Sequence, residues 1–424
     1  MTNPRGSNGP LRADMALAAR FLSRMGEIGR TEPGYTRDAY GAGEGQAHDA
    51  FREIAGELGL RLDCDAAGNL YATLDGRDDE APAWVTGSHL DTVPHGGNFD
   101  GAAGVAASLA AVSALKGAGI VPRRKIVVLV TRAEESTWFP VSYIGSRTAL
   151  GLLPPELLTA RRADTGRTLG EHMAENGFDP SRVARGEGGL SPDRIHGFAE
   201  IHIEQGPILE AAARPLGIVT AISGSFRYRE GVCRGAYAHS GAVPRSGRAD
   251  AVLATSELVV AMDRVSAAFE EEGAFLRLTF GQFGTDPAEH AFSKVAGEVR
   301  FCLDVRSDDE AVLERVHAAL LREVAAIEGR RGVAFDLGPR TGSTPARMDA
   351  ALQARLVEIA EDEAIPFLSM PSGAGHDAAT FAGAGIASAM LFVRNQNGSH
   401  NPCEAMRLED FEPVATVLTH LLVD

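Results

Sequence analysis

Cysteine is scarce in this chain of 424 residues: four, at Cys64, Cys233, Cys302 and Cys403, far apart and with no CxxC pair. Scattered thiols argue against a disulfide framework and fit a reducing compartment, so a cytoplasmic location is expected. Long apolar runs are also missing. The longest, such as KIVVLV at 125–130, have the length of a strand, far short of the roughly 20 apolar residues a membrane helix needs. Cations are outnumbered, with 41 Lys and Arg against 57 Asp and Glu, giving a net charge of −16. That balance argues against nucleic acid or an anionic membrane as partner, although a single arginine can still dominate a pocket for a small anion. The start of the chain lacks the apolar core of a signal peptide, and residues 1–12, polar with Gly and Pro, are expected to form a disordered tail.

What the chain does contain is histidine and carboxylate in Gly-flanked clusters. Five segments carry them: GSHLDTVPHGGNFDGAAGV (87–105), AEES (133–136), HIEQGP (202–207), SGAGHDA (372–378) and NGSHNP (397–402). Most follow apolar, strand-like runs. Imidazole and carboxylate together suit a borderline divalent metal such as zinc without any thiolate. The number of donors is enough for two ions, and the chain reads as a metal-dependent hydrolase.

The pattern of apolar residues predicts an α/β fold. Helical spacing appears over 14–30 and 46–59, and AWVTGSHLDT (83–92) reads as a buried strand broken at Gly87. An Ala-rich helix is expected over 101–119, then a strand over 124–135 that delivers two carboxylates at its end. Such alternation indicates a sheet with helices on its faces, where ligands collect at the carboxyl ends of the strands. Residues 150–197 read as a polar helical insert, and a strand is expected over 198–210. From about 214 the texture changes: a strand pair at 218–241, helices at 249–269 and 309–329, and strands at 275–284 and 298–307. These predict a small sandwich of one sheet and two helices inserted at 214–332, between catalytic segments 1–213 and 333–424. A helix over 349–363 and a strand and loop over 387–400 then resume the larger domain.

Each cluster has a plainer alternative. Asp100 follows a Gly-rich turn that can fold it back beside His89, yet it also stands where it could cap the Ala-rich helix. Glu134 and Glu135 adjoin at a strand exit, where neighbours point to opposite sides, so one can ligate metal while the other faces the reacting water. Elsewhere such a pair is often simply solvated. His202 and Glu204 share a strand face, and a lone strand histidine is commonly structural. His376 with Asp377, and His400 beside Asn401, lie in flexible Gly-rich loops that suit close approach of a substrate.

In order along the chain, GSHLDTVPHGGNFDGAAGV, EES-x-WF-P, HIEQGPILE, AHSGAVP, DVR, SGAGHDA and SHNP-x-E resemble the dimetal amidohydrolase and peptidase family M20. The match is to its branch of N-carbamoyl-L-amino-acid hydrolases, β-ureidopropionases and allantoate amidohydrolases, over roughly 25–424. The resemblance implies a three-layer catalytic domain around a mixed sheet, with an inserted ferredoxin-like α+β domain serving as lid and dimerisation surface. It implies two divalent ions per subunit, zinc first, with manganese, cobalt or nickel as alternatives. His89, Asp100, Glu135, His202 and His400 would be the ligands, with Asp100 bridging. Glu134 would be the general base and Asp91 would orient His89. His239 would reach the partner subunit of a homodimer to hold a substrate carbonyl, and Arg306 would grip a substrate carboxylate. Gln205, His376 and Ser293 would complete the pocket.

The expected reaction is hydrolysis of a linear amide C–N bond in an N-carbamoyl-L-amino acid, giving amino acid, ammonia and carbon dioxide. Allantoate or another ureido acid, an N-acyl amino acid or short peptide, and a non-catalytic metal-binding role are the alternatives. Two departures fall on the substrate side: Ala238 and Ser293 stand where relatives usually carry Asn.

Overall fold

The computed structural model describes residues 11–423. The first ten residues of the expected tail lie outside that span. Leu11 and Arg12 are tied down: the Leu11 carbonyl lies 3.0 Å from His420 Nε2, and Arg12 pairs with Glu363 at 3.2 Å. The chain divides into two compact units, one within Met1–Thr220, Met348–Met370 and His376–Asp424, the other within Ala221–Arg347 and Pro371–Gly375.

The first unit opens with helices α1 (Met15–Met25) and α2 (Ala42–Glu57). Its sheet is built from β1 (Arg61–Cys64), β2 (Leu70–Leu74), β3 (Ala83–His89), β4 (Ile126–Thr131), β5 (Ile195–Ile203), β6 (Leu216–Ile222) and the strand Ser388–Val393. In space the order is β1-β2-β4-β3-β5, then Ser388–Val393, then β6, which also pairs with the strands Ala346–Arg347 and Phe367–Ser372. The β4-β3-β5 core and its neighbour Ser388–Val393 run parallel; β1, β2 and β6 join antiparallel. This is the α/β sheet that the alternation of elements predicts, mixed as the family resemblance implies. Parallel strands buried on both faces are nearly all apolar, and β4 (IVVLVT) shows it.

Helix α3 (Ala102–Gly117) explains its own composition. It packs on β3 and β5 on one side and on α1 and the helix Leu408–Leu421 on the other, so it has no solvent stripe and every residue from Ala102 to Val112 is buried. Small side chains let it lie close to the sheet. A Cβ on Gly104 would stand 2.1 Å from the Ile201 carbonyl oxygen and 2.8 Å from Ser88 Cβ. Ser108 reaches Thr86 at 2.9 Å, and Thr86 donates to the Ala199 carbonyl at 2.7 Å, so the few polar groups in this contact are paired.

The second unit is an antiparallel sheet ordered Ala334–Asp336, Gly224–Arg234, Glu298–Ser307, Arg277–Gly284, with Arg340–Ser343 also on the second of these. Helices Ala251–Glu271 and Glu310–Arg331 cover one face. The chain order is β-α-β-β-α-β with the fourth strand beside the first. Its core joins Phe226, Phe301, Leu303 and Val305 to Leu258, Val316 and Leu320. Against the 214–332 read from sequence, the compact unit runs from 221 to 347. Residues 216–218 still pair with Ser388–Val393, and 334–343 return to the second sheet.

Several elements differ from expectation. The strand expected to run to 210 stops at Ile203, because the Glu204 carboxylate accepts the Ile208 and Leu209 amides, both at 2.7 Å, and starts a short helix. Residues 150–197 form short helical pieces, Pro155–Thr159, Leu169–Glu175 and Pro180–Ala184, separated by turns.

If the closeness of α3 to the sheet holds β3 and β5 in place, Gly104→Ala destabilises the fold by about 1–3 kcal/mol, the usual range for overpacking. Urea unfolding followed by circular dichroism measures it, and an unchanged midpoint would contradict the packing argument.

Candidate metal centre

The donors converge where parallel strands end. His89 is the last residue of β3, His202 lies near the end of β5, and both rings are buried. Their outer nitrogens are fixed: His89 Nδ1 lies 3.0 Å from the Asp91 carbonyl and His202 Nδ1 lies 2.9 Å from the Ile203 carbonyl. Each ring therefore carries its proton on Nδ1, which leaves the Nε2 lone pair facing inward. The two Nε2 atoms stand 3.5 Å apart, and the Gly101 amide donates to His202 Nε2 at 3.2 Å.

Asp100 sits between the histidines. Its Oδ1 lies 3.4 Å from His89 Nε2 and 3.2 Å from His202 Nε2, while its Oδ2 lies 3.4 Å from His400 Nε2. His400 Nε2 is in turn 3.2 Å from Glu135 Oε1. The result is two donor trios, His89–Asp100–His202 and Asp100–Glu135–His400, each with its ligand atoms within 4.8 Å of one another and sharing one carboxylate. Asp100 is not the cap of α3. The N-cap is Gly101, at φ 66°, and no side chain caps it. A Cβ at Gly101 would lie 2.6 Å from the His89 ring, so glycine is what lets the chain turn Asp100 into the site.

The electrostatics suit a cation. Burial would raise Asp100, but the imidazoles of His202, His400 and His89 hold it well below the usual carboxylate range. Burial pushes Glu134 well above that range, only partly opposed by His89, and raises Glu135 as well. His400, hydrogen-bonded to Asp100 and Glu135, is driven up to about 11. Too many negative groups share too little water, and a divalent charge relieves that. Three imidazoles and two carboxylates gathered in this way are the donor set of a divalent metal site.

Glu134 and Glu135 do not sit on a strand. β4 ends at Thr131, and both residues lie in the following loop, so strand alternation does not set their directions. Their amides donate to the two Asp91 oxygens, Glu134 to Oδ1 and Glu135 to Oδ2, both at 3.1 Å. Asp91 thus touches His89 chiefly through its own carbonyl, its carboxylate being 3.4 Å away, and spends that carboxylate on the loop. Glu134 Oε2 reaches to 3.9 Å from His89 Nε2.

Gln205, at φ 63°, donates to Asp100 Oδ2 at 2.7 Å, and His376 is buried with its ring 4.4 Å from that of His202. Two residues that the sequence reading passed over belong here. Ser399 hydrogen-bonds Asp100 Oδ2 at 2.7 Å and Glu404 Oε2 at 2.5 Å. Glu404 accepts the Phe99 and Asp100 amides at 2.8 and 3.2 Å. The acidic residue closing SHNPCE was the available signal.

His239, Ser293 and Arg306 belong to the second unit. His239 is exposed; its Nδ1 accepts the Gly241 and Ala242 amides, both at 3.1 Å, which places the proton on Nε2 and presents a donor to solvent. The exposed Ser293 offers its carbonyl to the Ser240 amide at 2.8 Å, bringing the two segments side by side. Arg306 donates to Asp304 at 2.9 Å, and Asp304 also accepts from Arg227 at 2.9 Å.

Comparison with known proteins gives the family and the fold. The pattern of Peptidase family M20/M25/M40 matches residues 85–424. An N-carbamoyl-L-amino acid amidohydrolase of Geobacillus stearothermophilus is 33% identical over 402 residues, covering 94% of this chain and 95% of the relative. An allantoate amidohydrolase of Bacillus subtilis (strain 168) is 32% identical over 407 residues, covering 95% of each. The crystal structure of an amidase of the hydantoinase/carbamoylase family from Burkholderia multivorans superposes with a TM-score of 0.87 at 32% identity, covering 97% of this chain and 98% of that one.

Because Asp100 supplies a donor to both trios, Asp100→Ala should lower bound divalent metal more than His202→Ala or His400→Ala, each of which strips one trio. Metal per chain after equilibrium dialysis measures this; equal losses in all three would show that the carboxylate is not shared.

Proposed function

This chain belongs to peptidase family M20/M25/M40, and from that premise we propose that it is a dinuclear metal amidohydrolase acting on a linear ureido or carbamoyl amide. The observation that carries the reading is the pair of donor trios sharing Asp100, with Glu134 beside them. His89 and His202 with Asp100 would hold one ion, zinc first; His400 and Glu135 with Asp100 would hold the second. Bound there, divalent ions supply an acidified water and a polarised carbonyl.

The chain's own residues do the rest. Glu134 takes the proton of the attacking water at its carboxylate and returns it to the leaving nitrogen. Burial, by raising its affinity for a proton, suits it to both halves of that transfer. Asp91 keeps Glu134 and Glu135 in place through their amides. The Nε2–H of His239 is set as a hydrogen-bond donor for a carbonyl oxygen that becomes negative as water adds. The Arg306 fork suits a substrate carboxylate. His239 acts in the partner subunit of a homodimer, as the family resemblance implies. With an N-carbamoyl-L-amino acid the products are the amino acid, ammonia and carbon dioxide. Allantoate is the second reading, favoured equally by the relatives.

Ammonia release from metal-reconstituted enzyme is the deciding test, run on N-carbamoyl-L-amino acids, N-carbamoyl-β-alanine and allantoate, with N-acetyl amino acids followed by free amine. Ammonia from a ureido substrate is expected; amine from the N-acetyl compounds alone would move the enzyme to the deacylases. Mixing His239→Ala chains with Arg306→Ala chains should restore activity that neither possesses. No recovery in proven mixed dimers would place both residues in one subunit's site.

A further inference from the structure

We infer that Glu44, on α2, is a positioning residue for Glu134, acting through the main chain that carries the base. The inference rests on the reading of Glu134 as general base. Beyond the end of β4 the chain leaves its ladder, yet four consecutive amides, 132 to 135, each meet a side-chain oxygen. The Arg132 amide donates to Asn69 Oδ1 at 2.9 Å and the Ala133 amide to Glu44 Oε1 at 2.8 Å. The Glu134 and Glu135 amides donate to the two Asp91 oxygens. On the other edge, the carbonyls of Ala133 and Glu134 accept the Ile144 and Tyr143 amides at 3.2 and 3.1 Å.

Four separate stretches of sequence therefore cooperate to hold four residues. A short segment gripped on both edges has a fixed path, and this path is not a relaxed one. Ala133 has φ 52°, a left-handed conformation that a residue with a Cβ keeps only when its surroundings enforce it. Glu44 supplies the bond at that residue. It is fully buried, and its second oxygen accepts the Tyr40 amide at 2.7 Å and the Arg132 guanidinium at 2.8 Å. Arg132 is anchored onward to the Gly68 carbonyl at 3.2 Å. Asn69 is oriented by its own amide group, which donates to Asp65 at 2.7 Å and to the Gly145 carbonyl at 3.0 Å.

A buried Glu–Arg pair adds little stability over an apolar pair of the same shape. The arrangement is better accounted for by the amide it captures. Without Glu44, the Ala133 N–H has no acceptor, the left-handed turn loses its support, and the next residue, Glu134, loses its fixed direction. Misplacing a catalytic group by about 1 Å costs on the order of a hundredfold in rate.

The test uses full-length, metal-reconstituted enzyme and the ureido substrate that it hydrolyses fastest. Glu44→Gln keeps one oxygen but turns an NH2 toward amides or a guanidinium. It should lower kcat about ten- to hundredfold, with KM within about threefold and metal per chain unchanged. If Glu44 acts through the base, adding Glu44→Gln to Glu134→Gln should change kcat no further. Glu44→Asp, which keeps the charge beside Arg132 but shortens the reach to Ala133, carries the same comparison if Glu44→Gln does not fold. A kcat within about twofold of wild type, or an equal loss in both backgrounds, would overturn the positioning role while leaving the base assignment intact. A fully active Glu134→Gln would instead remove the reading on which the proposal stands.

Discussion

Asp100 is the point on which the first unit turns: one buried carboxylate faces three imidazoles, two through one oxygen and the third through the other. Around it lie more buried acids than the local bases can neutralise. Glu200, hemmed in by burial and Asp377, is pushed up to about 7, and Glu404, raised by burial and Asp100, likewise to about 7. Behind the loop that joins His89 to Asp100 lies a permanent cation. Arg37, fully buried, donates to the Leu90 carbonyl at 2.8 Å and to Asn98 Oδ1 at 3.1 Å, clasping both ends of that loop. Burial lowers it to about 10, partly offset by Glu404, Asp100 and Asp91. One arginine does not balance this set, and the remaining imbalance is what divalent ions neutralise.

Holding such a cluster together without those ions requires a frame that does not yield. The frame is the parallel sheet, and the features of the sequence that build it look like ordinary packing. Gly104 and the alanines of α3 carry no chemistry, yet they let the helix press on β3 and β5, the strands that end in His89 and His202. Gly101 then clears the space that allows Asp100 to meet both rings. Asp91 and Glu44 hold the third segment by its amides. Secondary structure, close packing and side-chain-to-backbone bonds each fix one arm of the centre.

Much of this was legible beforehand. β3, β4, α3 and both long helices of the second unit announce themselves through apolar period and Gly stops, and the His and Asp clusters follow strand-like runs. Other parts were not legible, for physical reasons. β1 is only four residues long and is exposed along its whole length. The helix Leu408–Leu421 contains Pro413, which reads as a break although the helix continues through it. The directions of Glu134 and Glu135 depend on a loop whose acceptors, Asn69, Glu44 and Asp91, are scattered over separate segments. Local spacing carries no record of a contact between α2 and the end of β4. Glu404 was hidden for the same reason, its target being the Asp100 amide some 300 positions earlier.

The two departures from the family pattern gain meaning from where they fall. Ser293 is exposed and Ala238 half-exposed, the second within and the first just before the short antiparallel pairing of residues 238–239 with 294–295. Here side chains meet solvent, and changing one leaves no buried group unsatisfied. The metal centre is the opposite case at four of its five donors, His89, Asp100, Glu135 and His202, which are buried, while His400 is exposed. Each donor also braces another buried group, so a single change orphans a polar atom or an unbalanced charge, and the penalty is large. A substitution is therefore tolerated more readily on that strand pair than among the buried donors. The donors that gather around Asp100 are thus the positions least free to change, whereas Ala238 and Ser293 lie where burial constrains a side chain least.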